Sequence, residues 1–519
     1  MGELRELADL RHDAEGLARD LAGLLWRRAA GLPPGATLPQ IAKEHRLATS
    51  HDGLAQACEA LGNAVEDEQS PGRIARLSAL RECAARARAL GLEPGAAQEL
   101  LDLQTRPSVR PPGDAGLHGA IPLVQVEREL PFELHRDKRG ELEASLADAV
   151  NEQGPVRSAV WDAALAALEE CGQGEPAQAS AELQARGWAA REGTLAVDLA
   201  AAEAERFLHL TDSIAQDLGG WLLERRTSAR PFPGGAERHD VLHLVHAPAC
   251  ATAFPRGEHL RTLRRWAEML RLDPTANRTI KLDDEERPLK FAGAHAVATD
   301  PPDEVRVSFF PVLGPHALSQ LLSSLGQSLL LVGAPGDAPP EDLWLGDEGV
   351  RIACGDLLGG LARDPIFIHR VAKADLHRDD ERAVAYAAVV EARLAAAATI
   401  SSIEALKAGG ITARVETAHR DLFARAVSAE LPGALARREI DPWLGPWAKL
   451  RGLCLAARLR AFFRDRHDED WWRNPRALPL LKALWARGGR PTVREIWGEL
   501  GEDGPGVDAL AGYLLELCA

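Results

Sequence analysis

Apolar residues in this chain recur at intervals of three and four over most of its length. Between residues 3 and 30, Leu4, Leu7, Leu10, Leu17, Leu21, Leu24 and Leu25 keep that spacing, which stops at Leu32-Pro33-Pro34-Gly35. A period near 3.6 puts such residues on one helix face, so the segment must bury a stripe against neighbouring helices. Similar stretches cover about 50–65, 72–91, 140–172, 177–225 and 259–271, and the pattern resumes after 375. Pro/Gly breaks fall at Arg110-Pro111-Pro112-Gly113 and Pro231-Phe232-Pro233-Gly234-Gly235. Strand-like alternation is confined to Ala292–Thr299 and Glu304–Pro311, flanking the turn signal Asp300-Pro301-Pro302-Asp303. The expectation is a mainly α protein in which a small hairpin or sheet feeds a helix beginning near His316. A boundary near 235 divides a helical front lobe (1–235) from a back domain (236–519) that holds the only sheet.

Length and composition narrow the class. A chain of 519 residues suggests several domains or one large two-lobed body, and 46% hydrophobic with 27% charged residues is a globular profile. A net charge of −16 argues against tracking phosphates, so no nucleic-acid partner is expected. The first residues alternate charge and leucine with no apolar leader, and no run approaches 18 consecutive apolar residues, so neither secretion nor a membrane is expected. Seven dispersed cysteines without a CxxC pair read as reduced core thiols of a cytoplasmic protein. The excess of Arg over Lys, with abundant Ala, Leu and Gly, reads as the codon bias of a GC-rich bacterium. There is no GxSxG elbow and no phosphate-binding glycine loop.

Residues 287–364 are more specific. Arg287-Pro288-Leu289-Lys290-Phe291-Ala292-Gly293-Ala294 precedes the turn and the EVRVSFFP strand, and Leu321-Leu322-Ser323-Ser324-Leu325-Gly326-Gln327-Ser328-Leu329 follows. Further on come Leu345-Gly346-Asp347-Glu348-Gly349-Val350-Arg351-Ile352-Ala353, then Asp441-Pro442-Trp443, Leu450-Arg451 and Asp470-Trp471-Trp472-Arg473-Asn474-Pro475. This order resembles the thimet oligopeptidase and oligoendopeptidase F metallopeptidases over roughly 235–500. There an R-x-x-K-x-x-G-A segment and a strand lead into a helix reading L-H-E-x-G-H-A-L, and an L-G-D-x-x-x-x-E-G segment donates the third zinc ligand. The resemblance implies a two-lobed helical zincin-like peptidase fold with a small sheet beside the metal helix.

The same resemblance shows what is missing. The first histidine position is Ser323, the general-base glutamate Ser324, the second histidine Gln327 and the third ligand Ile352. Hydroxyls, an amide and an alkyl chain offer zinc no suitable donor, and water finds no base, so the zinc is expected to be lost and no cofactor retained. The family's late, substrate-holding tyrosines are absent too, since Tyr occurs only at Tyr386 and Tyr513. The resemblance makes Arg287, Lys290, Gly293 and Lys449 candidates for lining a peptide channel, with the Glu304–Pro311 strand aligning the peptide. Trp443, Trp447, Leu450, Cys454, Ala457 and Ala461 read as a core stripe, and Asp470-Trp471-Trp472 as a packed turn.

One motif competes. His239-Asp240-Val241-Leu242-His243, with His246 three further on, places two imidazoles four apart on a helix with an acid between them. Two readings follow. The first is a catalytically inactive oligopeptidase-like protein that binds a peptide or protein partner. The alternative is an active metal-dependent hydrolase relocated to His239, His243 and His246.

Overall fold

The computed structural model of the protein describes residues 2–110, 119–172, 175–185, 196–272, 279–501 and 506–519. The leucine-spaced amino terminus forms one helix, Gly2–Ala29. His51–Glu66 follows behind Ser50, whose side chain accepts the Gly53 N–H, and Pro71–Leu92 has its proline in the first turn. The periodic stretch at 140–172 is two helices, Arg136–Glu152 and Gly154–Cys171, because the Gly154-Pro155 pair starts a new one.

Two sheets are present among the described residues. β1 (Pro107–Val109) pairs antiparallel with β2 (Ile121–Pro122), so the sheet expected only beyond 235 has a small counterpart in the front half. Strands of three and two residues are too short for alternation to register. The larger sheet contains β3 (Ile280–Asp283), β4 (Gly293–Asp300) and β5 (Glu304–Phe310), in the order β3-β5-β4. The hairpin around Pro301-Pro302 is as expected, and β3 adds a parallel neighbour on the far side of β5. β5 is therefore the central strand, bonded on both edges, and cannot align a peptide. The open edges belong to the two outer strands, β3 and β4.

Most buried apolar residues among those described form one cluster running from Leu10 to Cys518, drawing on both sides of residue 235, with two small clusters around Phe309 and Leu61. Its longest member is the helix Arg378–Lys407. By length and composition it could cross a bilayer, but 83% of its apolar window lies inside the protein. A search for unbroken apolar runs passes over it because Glu391 and Arg393 interrupt the sequence. Arg393 is fully buried and donates to the carbonyls of Leu208, Arg425 and Ala426, to the Thr211 hydroxyl and to Asp212, all at 2.6–2.8 Å. A buried guanidinium is tolerable only with its donors satisfied in this way.

Three further helices stack beside the larger sheet: Pro315–Gly333, Glu348–Gly359 and Gly445–His467. The first two touch backbone to backbone at Gly326, where an added Cβ would lie 2.2 Å from the Cys354 carbonyl oxygen. Only glycine permits that approach.

Candidate functional site

Ser323 and Gln327 lie one turn apart on the helix 315–333, facing the helix 348–359. The Gln327 amide nitrogen is 3.4 Å from the Ser323 hydroxyl oxygen, and its carbonyl oxygen accepts from Arg351 at 3.2 Å. Arg351 also donates to Glu348 at 2.7 Å. Opposite them is Gly355, where a Cβ would stand 2.7 Å from the Ser323 hydroxyl and 3.0 Å from the Gln327 side chain. Ser324 is buried, and its carbonyl accepts the Ser328 hydroxyl at 2.7 Å. Ile352 turns away and packs on Gly452 of the helix 445–467. Asp347 starts the helix 348–359 by accepting the Gly349 N–H at 2.9 Å, and it also accepts from Val493 N–H at 3.0 Å and lies 3.3 Å from Arg451.

Chemically, this cluster is a chain of neutral groups ending in a guanidinium. Zinc takes imidazole, thiolate or carboxylate donors at about 2.0–2.3 Å. Ser323, Ser324, Gln327 and Ile352 supply none of these, and the charge nearest Gln327 is the cation of Arg351. The donor set does not fit the metal.

Beside this cluster opens a cleft of about 710 Å³. One wall comes from the helices 2–29 and 71–92, with Leu21 and Arg86. The other comes from Ala296, Val297 and Ala298 on β4, and Glu348 and Arg351 also line it. The helical wall is pinned to Pro340–Trp344 by two ion pairs, Arg11 to Glu341 at 2.6 Å and Arg76 to Asp342 at 2.8 Å. Both carboxylates are buried, so these pairs are screened less than exposed ones. The sequence reading missed Arg351 and β4 in this role. β5 alternates Val305, Val307 and Phe309 with Glu304, Arg306 and Ser308, the pattern of a strand with one buried face, so its residues carry no signal that it is the central strand.

None of the four channel candidates lines this cleft. Arg287 donates to the Ala30 carbonyl at 2.9 Å and to Asp283 at 2.7 Å. Lys290 is completely buried, its ammonium held by Asp283 and by the Asp283 and Glu285 carbonyls at 2.8–3.1 Å. Together they fasten the turn after β3 to the first helix. Gly293 starts β4 at φ 78°, tight against the Gln320 side chain. Lys449 pairs with Glu391 at 3.1 Å, and Arg363 reaches the same carboxylate at 2.6 Å. Burial would raise the Glu391 pKa, but these two cations hold it far below the usual range.

The competing histidines share the helix Arg238–His246 without converging. His239 is buried and gathers with Glu143 and Glu237, with ligand atoms all within 4.8 Å. His243 instead meets the Pro131 carbonyl at 2.9 Å, while His246 meets the Leu242 carbonyl at 2.8 Å and packs its ring 4.4 Å from that of His316. The intervening acid, Asp240, accepts from both Arg136 and Arg139 at 3.0 Å, and Arg238 pairs with Glu143 at 2.9 Å. Three guanidinium groups thus crowd the position where a cation would have to sit. Burial pushes His239 and His246 down to about 4, leaving both neutral at pH 7. The other His/acid cluster among the described residues is Asp20, Glu44 and His45, and neither cluster includes a residue from the helices 315–333 or 348–359.

Neither a protein-family model nor a curated protein matches the chain. Solved structures do. A Bacillus anthracis protein described as an oligoendopeptidase F superposes with TM-score 0.58 at 11% identity, over 91% of this chain and 84% of that one. PZ peptidase A with inhibitor 2 gives TM-score 0.62 at 11% identity, over 92% and 87%. The M32 carboxypeptidase from Deinococcus radiodurans R1 gives 0.53 at 14%, over 100% of both chains. At such identities the likeness speaks to architecture. The chain has the mainly helical, zincin-like fold of the oligoendopeptidase F and M32 carboxypeptidase structures.

Proposed function

We propose that this protein is a catalytically inactive relative of the helical metallopeptidases, one that binds an extended peptide segment along the free edge of β4. The observation that carries the reading is the Ser323–Gln327–Arg351 chain packed against Gly355, beside a cleft of about 710 Å³. Metal-assisted hydrolysis needs a Lewis acid and a base for water. Ser324 is a buried hydroxyl with no basicity to offer, and Arg351 brings the wrong sign of charge for a metal. Binding needs neither group. A strand with one open edge offers alternate N–H and C=O groups to an incoming chain, and the small Ala296 and Ala298 side chains leave room for it. The part before residue 235 supplies one wall of the cleft and the part after it the other. Seven free cysteines fit a reducing compartment, and we place the protein in the cytoplasm.

The test uses full-length protein prepared without a histidine tag, a library of unstructured peptides and three measurements: zinc content, peptide cleavage and peptide binding by calorimetry. The expected result is no stoichiometric zinc, no cleavage, and binding that Ala296→Pro abolishes by removing an edge N–H, since Val305 donates to Thr279 on the β3 side and its neighbour Val307, opposite Ala296, therefore also bonds away from β4. Cleavage of any peptide, or binding untouched by Ala296→Pro, overturns the reading. Tightly held zinc lost on His243→Ala would instead establish the hydrolase on His239, His243 and His246.

A further inference from the structure

Cys58 sits on the helix 51–66, and Cys171 is the last residue of the helix 154–171. Their sulfurs are 4.0 Å apart, and the Cys58 sulfur is equally close to the Cys171 carbonyl oxygen. Cys58 thus touches both the thiol and the backbone of its partner, 113 residues away in the chain. Disulfide sulfurs are about 2.05 Å apart, so bonding takes about 2 Å of movement. A change of rotamer at one cysteine carries its sulfur about 3 Å.

The two thiols are not equivalent. Cys58 is partly exposed, whereas Cys171 is buried. Hydrogen bonding from Cys171 favours the Cys58 thiolate, burial opposes it, and the Arg81 guanidinium supports the first effect, bringing Cys58 down to about 7. The same hydrogen bond and burial push Cys171 up, so it remains a thiol. Burial also raises Cys250, Cys354, Cys454 and Cys518. A partly exposed nucleophilic sulfur with a protonated thiol against it is how an attacking and a resolving cysteine are arranged.

We propose that Cys58 and Cys171 are a reversible dithiol site, which a hydroperoxide oxidises to a disulfide that staples the helices 51–66 and 154–171. The Cys58 thiolate attacks the peroxide. An S–O bond forms, the O–O bond breaks, and the leaving oxygen takes up the proton that Cys58 had released. The Cys171 sulfur then attacks Cys58. The S–S bond forms, the S–O bond breaks, and the hydroxyl leaves as water with the Cys171 proton. Two electrons pass from the sulfurs to the peroxide, and a dithiol reductant returns them by thiol–disulfide exchange. The bond closes a loop containing the helix 71–92, which packs on both stapled helices and forms one wall of the cleft beside β4. The staple therefore acts on that wall, whether or not a peptide binds in the cleft.

The test treats the reduced full-length protein with hydrogen peroxide, blocks the remaining thiols by alkylation and maps the digest by mass spectrometry. Two of the seven thiols should be lost, to a Cys58–Cys171 cross-linked peptide that dithiothreitol abolishes. Amide exchange in the helix 71–92 should slow on oxidation and recover on reduction. Cys171→Ala should halt the reaction at a Cys58 sulfenic acid, trapped by dimedone, and Cys58→Ala should leave Cys171 unoxidised. Two unmodified thiols, Cys58 bonded to Cys83 or any other cysteine, or Cys58 sulfinic acid without the cross-link would each overturn the proposal. Unchanged exchange in the cross-linked protein would overturn the staple. Mapping of the unmutated protein decides the chemistry by itself, so the test stands if a variant fails to fold.

Discussion

Two regions of this molecule divide between them what a metal site requires. The helices 315–333 and 348–359 have the arrangement, with two side chains four apart facing a neighbouring helix, but serine, glutamine and arginine fill it. The helix 238–246 has the residues, three imidazoles and an acid, but sends them to separate partners among three arginines. Residue type and spacing are separately insufficient. Ligation requires donors converging on one point with the surrounding charge in its favour.

The largest effect expected from breaking this comparison is at Gly326. Gly326→Leu forces a side chain into the Cys354 carbonyl and should cost about 3 kcal/mol or more, read as a fall in the urea midpoint. On the other side, Gly140→Ala meets only the His239 ring edge, at 3.2 Å, and should stay within about 0.5 kcal/mol.

A pH titration separates the regions next. Burial lowers His239 from 6.5 to about 4, with Asp240 pulling weakly the other way. The unfolded chain takes up a proton near pH 6.5 that the folded chain refuses until about pH 4. Stability is therefore flat above 6.5 and falls between 6.5 and 4, by about 3 kcal/mol in full. His239→Gln should remove that share of the slope, measured as urea midpoints at pH 7 and pH 5. Ser323, Gln327 and Arg351 carry no group that titrates in this window, so Gln327→Ala should leave the slope unchanged.

The comparison is sharpened by introducing ligands. A protein carrying Ser323→His, Ser324→Glu, Gln327→His and Ile352→Glu should hold zinc poorly, because Ile352 faces Gly452 and Arg351 remains beside position 327. Adding Arg351→Ala should raise the zinc affinity about tenfold, equivalent to about 1.4 kcal/mol, measured by competition with a chelator. A small effect is expected of Arg351→Ala alone. Removing a half-exposed pair with Glu348 should change stability by less than about 1 kcal/mol.

Much of the fold was legible from local pattern. The first helix, the hairpin at Pro301-Pro302 and the start of the helix at Pro315 each follow from periods and breakers within a dozen residues. What was illegible is non-local. β3 is a four-residue strand defined by its pairing with β5, and that pairing closes the second edge of β5 and leaves the open edges to β3 and β4. At the site, the motif directs attention to Ile352, whereas Arg351, one residue earlier and so about 100° around the helix, is the one that reaches Gln327. The channel candidates Arg287 and Lys290 carry the right charge, but their partners on the turn after β3 cannot be read from spacing. Arg393 makes the same point inside the core, since its acceptors come from residues nearly two hundred positions before it and about thirty after it.

The open edge of β4 also bears on how the protein keeps to itself. An exposed strand edge on a protein surface invites the same edge of another copy, and continued pairing leads to aggregates. Here the edge is recessed behind the helices 2–29 and 71–92, which are held across it by Arg11 and Arg76. A single unfolded segment is thin enough to enter; a folded sheet, flanked by its own helices, is not. The walls that would admit a peptide therefore act as a size filter, keeping a sticky surface from polymerising its owner.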